Sequence, residues 1–133
     1  MEQKYYGYIY LITNKLTKQI YIGKKAYLHR IKKKLTKKEL DAITKKGRKP
    51  KYKIEYVDSG WKDYWGSSKR LKEDIEKYGK ENFSMKILKK CKTRKGLTYF
   101  EVYYQFKYDV LNKDTYNDNV LSRFFRRDLE LEK

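Results

Sequence analysis

The chain has one cysteine, one histidine and one proline, and each scarcity removes a class of chemistry. With Cys91 alone, neither an intrachain disulfide framework nor a cysteine-based zinc site can form, and a reducing interior suits such a chain. With His29 alone, sites built on paired histidines are excluded. No stretch approaches the roughly 18 apolar residues of a membrane span, and Met1 to Tyr10 lacks the ordered regions of a signal peptide. The expected location is a cytoplasm, with no membrane partner. Acidic residues are also scarce: 17 Asp and Glu face 35 Lys and Arg, a net charge of +18. Such an excess goes beyond what solubility asks and opposes compaction by self-repulsion. An anionic polymer relieves it. Nucleic acid ranks first, because neutralised phosphates release condensed counterions, and a membrane surface second. Composition does not separate binding from cutting.

What is abundant is tyrosine, 15 residues, whose rings bury area while their hydroxyls keep polar partners. A chain of 133 residues suits one domain, so 1–133 is read as a single unit. The run YYGYIYLI (5–12) reads as a strand covered on both faces; TNKLTK then turns, and QIYIG (19–23) reads as a second strand paired with the first. From Lys24 to Lys51, 13 Lys or Arg face only Glu39 and Asp41, a local charge of +11. Within that segment Thr36 and Glu39 have capping-box spacing, and Gly47 is placed to stop a short helix. The following GRKPKYK, with Pro50, reads as a mobile basic loop. Ser67 or Ser68 caps a helix carrying Leu71, Ile75 and Tyr78, stopped at Gly79. Phe83, Met85 and Ile87 alternate as on a third strand. Leu97, Phe100, Tyr104, Tyr108 and Leu111 share one face of a helix of about four turns. The tail from about 120 to 133 reads as a closing helix or a fraying end.

Gly7-Tyr8-Ile9-Tyr10 and Tyr21-Ile22-Gly23 set two tyrosines 11 positions apart on strands expected to pair, and this resembles the GIY-YIG nuclease family. Tyr10 and Tyr21 match the two motif tyrosines, with the first glycine one place early. Ser67-Ser68-Lys69, Lys77-Tyr78-Gly79 and Asn82-Phe83 are similar to the helix-to-strand passage of phage homing nucleases of that family. Glu101 and the pair Tyr116-Asn117 match its glutamate and terminal Tyr-Asn pair, so the matches span Gly7 to Asn117. The basic insertion, about 32–60, followed by WKDYWGSSK, is similar to stand-alone phage proteins related to the Seg homing nucleases.

The resemblance implies an α/β fold of the α+β kind, a small three-stranded mixed or antiparallel sheet flanked by helices. It also implies a divalent-metal-dependent DNA endonuclease with one Mg²⁺ or Mn²⁺ per site. RNA is the less expected substrate, and a homodimer is one route to double-strand cutting. Glu101 would hold the metal, which prefers oxygen ligands and keeps several waters. Arg30, one position short of the family's helix arginine, would meet the non-bridging oxygens, with Lys24, Lys25 and Lys32 as substitutes. Tyr10 or Tyr21 would orient or deprotonate the water, with Tyr10 preferred by resemblance. Free tyrosine titrates near ~10, and neighbouring cations are expected to lower that value. Asn117 would fix Glu101 or a phosphate. Nucleic-acid contacts are expected from Lys24, Lys25, His29, Lys32, Arg48, Lys49, Lys51, Trp65, Ser67, Ser68 and Lys69.

Each assignment has a structural rival. Tyr10 and Tyr21 also suit a strand core. Glu101 stands three places after Thr98, so it also suits a helix cap. Ser67-Ser68 is a cap first and a phosphate ligand second, Trp65 stacks on a base or anchors its loop, and Asn117 fits an ordinary turn. For the whole chain, the rival is a non-catalytic basic nucleic-acid-binding protein on a nuclease-like scaffold.

Overall fold

The first apolar run becomes the central strand of a sheet. In the computed structural model, which describes residues 5–43, 47 and 50–133, β1 (Gly7–Asn14) pairs antiparallel with β2 (Ile20–Ala26) on one side and β5 (Phe83–Cys91) on the other. The strand order β2-β1-β5 is wholly antiparallel, which settles the sheet type that the sequence left open. Side chains alternate across a strand. Accordingly Tyr8, Tyr10 and Ile12 enter one core with Tyr27, Leu71, Phe83 and Tyr116, while Ile9 enters another with Ile22, Cys91, Leu97 and Val110. A strand buried on both faces has no polar side to show, hence its unbroken apolar sequence.

Two helices cover these faces. α2 (Lys69–Tyr78) starts at Ser68, whose Oγ accepts from the Leu71 amide at 3.2 Å, ends at Gly79 with φ of 94°, and inserts Leu71 into the first core. α3 (Arg94–Lys107) brings Leu97 and Phe100 to the second core. Its N-cap is Thr93, whose hydroxyl accepts from Gly96, so the helix begins three residues before Leu97 and stops before Leu111.

The tail is neither one helix nor frayed. Asn119–Val120 (β6) and Phe124–Phe125 (β7) form a minimal hairpin, and α4 (Arg126–Glu130) follows. The Arg126 guanidinium donates to the carbonyls of Leu111 (2.9 Å), Lys113 (2.6 Å), Thr115 (3.0 Å) and Asn117 (2.8 Å). One planar cation thereby gathers carbonyls that the 110–117 loop cannot pair by itself.

The chain divides into two compact units, one of residues 1–27 with 60–133 and the other Leu28–Ser59. The second unit is a two-stranded antiparallel ribbon of β3 (Leu28–Lys34) and β4 (Tyr52–Asp58), with α1 (Lys37–Asp41) in its connection. The capping box forms: Thr36 Oγ1 accepts from the Glu39 amide at 3.2 Å and Glu39 Oε1 from the Thr36 amide at 3.0 Å. The helix ends at Asp41 with Ala42 as C-cap, well before Gly47. Tyr52 and Lys53, expected in a mobile loop, instead begin β4.

Candidate active site

β2 is an outer strand, and a loop is laid along its free edge. The Tyr116 amide donates to the Ile20 carbonyl at 2.8 Å, and the Asn117 side chain bonds both main-chain groups of Ile22. Tyr21 therefore sits between the sheet face carrying Tyr10 and the edge carrying Asn117. Tyr10 pairs with Gly23 and Tyr21 with Ile12, so both tyrosines share one sheet face, ring centroids 6.1 Å apart.

Their environments differ. Tyr10 is 1% exposed, and burial, then Tyr21 and Tyr64, push its hydroxyl far above the ordinary phenol range. A Cβ on Gly23 would lie 2.4 Å from the Tyr10 hydroxyl oxygen and 2.7 Å from Cζ, so only glycine leaves room for that ring. Tyr21 is half-buried, and its hydroxyl meets Ser67 Oγ at 3.3 Å. Burial raises it too, partly offset by the Ser67 hydrogen bond. The lowering expected from neighbouring cations is thus not found: burial of the phenolate dominates, and Tyr64 and the Glu101 carboxylate add to it at both tyrosines.

Glu101 stands mid-helix in α3, so the Thr98 capping box does not form. Thr98 Oγ1 instead accepts from Lys24 Nζ at 2.9 Å and donates to the Arg94 carbonyl at 3.3 Å. The Glu101 side chain is 18% exposed; burial raises its pKa, opposed by Lys24, whose Nζ lies 4.0 Å from Oε1. One turn further along the same face stands Gln105, a residue with no signal in the sequence. Its Nε2 donates to the Ile22 carbonyl at 3.1 Å, and its Oε1 is buried without a partner.

These groups share one polar cavity of about 440 Å³, bordered by Tyr21, Ser67, Lys69, Glu101, Gln105 and Asn117. A larger apolar groove of about 1030 Å³ runs past Tyr99, Tyr103 and Phe106 on α3, and in contrast to the smaller space no carboxylate lines it. Asn117 reaches neither Glu101 nor open space with its amide, because Ile22 takes both ends of it. Among the described residues no group of three or more His, Cys, Asp or Glu stands together. What the cavity offers a cation is the half-buried Glu101 carboxylate, the Gln105 amide oxygen, which has no partner among the described residues, and the exposed Asp118 carboxylate, which Arg70 holds at 2.5 Å; such a donor set suits a hard ion retaining waters.

The remaining expected contacts divide. Ser67, Ser68 and Lys69 all border the cavity, and the Ser68 hydroxyl also caps α2. Trp65 packs against the first core, with Lys80 Nζ 4.9 Å from its ring centre, so it anchors its loop. Lys25 Nζ lies 4.1 Å over the Tyr64 ring. The helix implied for the family arginine is absent: the chain after Tyr27 continues as β3, where Arg30 pairs with Tyr56 and is exposed. His29 and Lys32 are also exposed on β3, and Lys51 precedes β4. Arg48 and Lys49 lie outside the described residues.

An antiparallel three-stranded sheet between helices, with two motif tyrosines on neighbouring strands and a helix glutamate beside them, defines the GIY-YIG class of nuclease folds. The family described as "Putative endonuclease segE, GIY-YIG domain" matches residues 1–125. The chain belongs to this SegE-type GIY-YIG endonuclease family. No curated protein and no solved structure matches it.

Proposed function

We propose that the chain is a divalent-metal-dependent endonuclease that hydrolyses phosphodiester bonds of DNA. The observation that carries the reading is the convergence of the Tyr21 hydroxyl, the Glu101 carboxylate and the unpaired Gln105 oxygen on one polar cavity. Glu101, seconded by Gln105, would hold one Mg²⁺ or Mn²⁺; when bound, the ion polarises the phosphate and lowers the pKa of water.

The chain's own residues supply the rest. Water oxygen attacks phosphorus, the bond to the leaving sugar oxygen breaks, and the proton lost by water is balanced by one gained at that oxygen. Tyr21, at the cavity wall and hydrogen-bonded to Ser67, orients the attacking water. Tyr10, sealed from solvent, supports Tyr21 by packing and does not meet the substrate. This reverses the preference for Tyr10 that the resemblance suggested. Lys24 and Lys69 offer charge to the phosphate, and Asn117 positions β2.

The test is incubation of supercoiled plasmid with the protein and Mg²⁺, beside Glu101→Gln. Metal-dependent relaxation or linearisation that the variant lacks supports the reading. Binding without cutting by the wild type, at any divalent ion, would assign the scaffold to the non-catalytic rival.

A further inference from the structure

The ribbon Leu28–Ser59 has one cationic face and one whose charges are paired. Cross-strand partners share a face, and residues two apart follow one another along it. The register therefore puts Arg30 with Tyr56, Lys32 with Ile54 and Lys34 with Tyr52 on one side. All six are exposed, and Lys32 Nζ lies 4.5 Å over the Tyr52 ring. Among the described residues no ion pair is made by Arg30, Lys32 or Lys34.

The opposite face neutralises itself. There Lys33 pairs with Glu55 at 2.9 Å, and Lys53 meets both Glu39 and Glu55, the latter at 3.6 Å. The Lys53 ammonium and the Thr36 amide hold Glu39 far down, to about 2. Both glutamates of this unit thus serve the other side of the ribbon, and the one acid in register with the cationic row is Asp58, at its end opposite Leu28.

We propose that the Arg30–Lys34 face of this ribbon is a duplex DNA docking surface, laid into the major groove of B-form DNA. The proposal rests on the endonuclease reading for the choice of DNA and supplies what that reading lacks, a surface that grips the duplex. Charge complementarity selects the occupant: three exposed cations without an ion pair among the described residues stand in a row, spaced by ~6.8 Å, twice the ~3.4 Å axial spacing of charges on one DNA strand. A two-stranded ribbon fits the major groove of B-DNA, ~12 Å wide, whereas the deep, narrow major groove of A-form RNA does not admit it. Exposed Tyr52, Ile54 and Tyr56 are then apolar surfaces for thymine methyls and sugar edges rather than unexplained hydrophobics.

The experiment uses the full chain in EDTA, with binding to a DNA duplex followed against salt concentration. Arg30→Gln/Lys32→Gln/Lys34→Gln should flatten the slope of log affinity on log salt by about 0.9 per cation removed. Lys33→Gln/Lys53→Gln, on the neutralised face, should change the slope by less than a third as much per cation. Affinity for an RNA duplex of the same sequence should respond less to the triple variant than affinity for DNA does. Equal slopes for the two faces, or equal losses on DNA and RNA, would overturn the proposal. Amine acetylation of the unmutated protein gives a reading independent of variant folding: DNA should shield Lys32 and Lys34 while Lys33 stays reactive, and the reverse pattern would also overturn it. Failure of the wild type to cut plasmid would refute the endonuclease reading and leave these binding outcomes separately readable.

Discussion

Asn117 holds the main chain of Ile22 from both sides: its Nδ2 donates to the carbonyl at 2.9 Å and its Oδ1 accepts from the amide at 2.9 Å. The carbonyl also accepts from Gln105 Nε2 at 3.1 Å, so the Ile22 amide is the group on this β2 edge that depends on Asn117. Asn117→Ala leaves the Ile22 carbonyl with Gln105 Nε2 but orphans the Ile22 amide in a buried setting, where one such group costs about 1–3 kcal/mol. Chemical denaturation should register a loss of about 1–3 kcal/mol on the same basis, together with reduced cleavage. Wild-type stability with lost cleavage would instead move Asn117 from positioning to chemistry.

Glu101 is expected to trade stability for activity. Glu101→Gln should lower cleavage by about 10²-fold or more, the scale seen when a transition-state contact is removed. Burial raises its folded pKa above the unfolded value, so the folded state holds its proton more tightly. Its contribution to stability is therefore full below the ordinary glutamate range and is lost as pH rises through the folded pKa. Thermal melts across this range should show Glu101→Gln gaining on wild type as pH increases, without metal. A variant that loses ground with rising pH would contradict the burial argument.

The two tyrosines should separate in kinetics. Tyr21→Phe removes a hydroxyl at the cavity wall and should slow cleavage by about 10–10²-fold with KM little changed, the lower part of the range for a positioned polar group. Tyr10→Phe removes a hydroxyl that no solvent reaches, and its rate should stay within about fivefold, less than one such contact. Single-turnover rates on one duplex decide this, and a larger defect in Tyr10→Phe would restore it to the chemistry.

Arg126 is the clamp of the 110–117 loop. Arg126→Met should cost at least about 2 kcal/mol, because hydrogen bonds to a charged donor contribute more than neutral ones. The same variant should make the Ile22 and Tyr116 amides exchange faster with solvent. Unchanged exchange at both would show that Asn117 is held without the clamp.

How much of this was legible follows from how local each signal is. β1, β2, β5, α2 and the Thr36 cap are written in neighbouring residues: an unbroken apolar run, alternation, a serine before and a glycine after. The ribbon was not legible, because β3 reads Leu-His-Arg-Ile-Lys-Lys-Lys, without an apolar face. Its pairing partner lies beyond a helix, and the ion pairs with Glu55 and Glu39 come from other elements. Tyr21, Glu101 and Asn117 were singled out by their resemblance to the family's motifs, whereas the inward placement of Tyr10 depends on packing against Gly23, Tyr21 and Tyr64. Gln105 and Arg126 work through contacts many residues away, and no local pattern marks either.

The fit between Gly23 and the Tyr10 ring makes the two motif strands a single mechanical part. A methyl group at position 23 would reach the ring before any substrate did, and the ring would have to leave its pocket beside Tyr21 to make room. Redesign of this wall must therefore begin from the pair, since neither strand can be recut while the other keeps its shape.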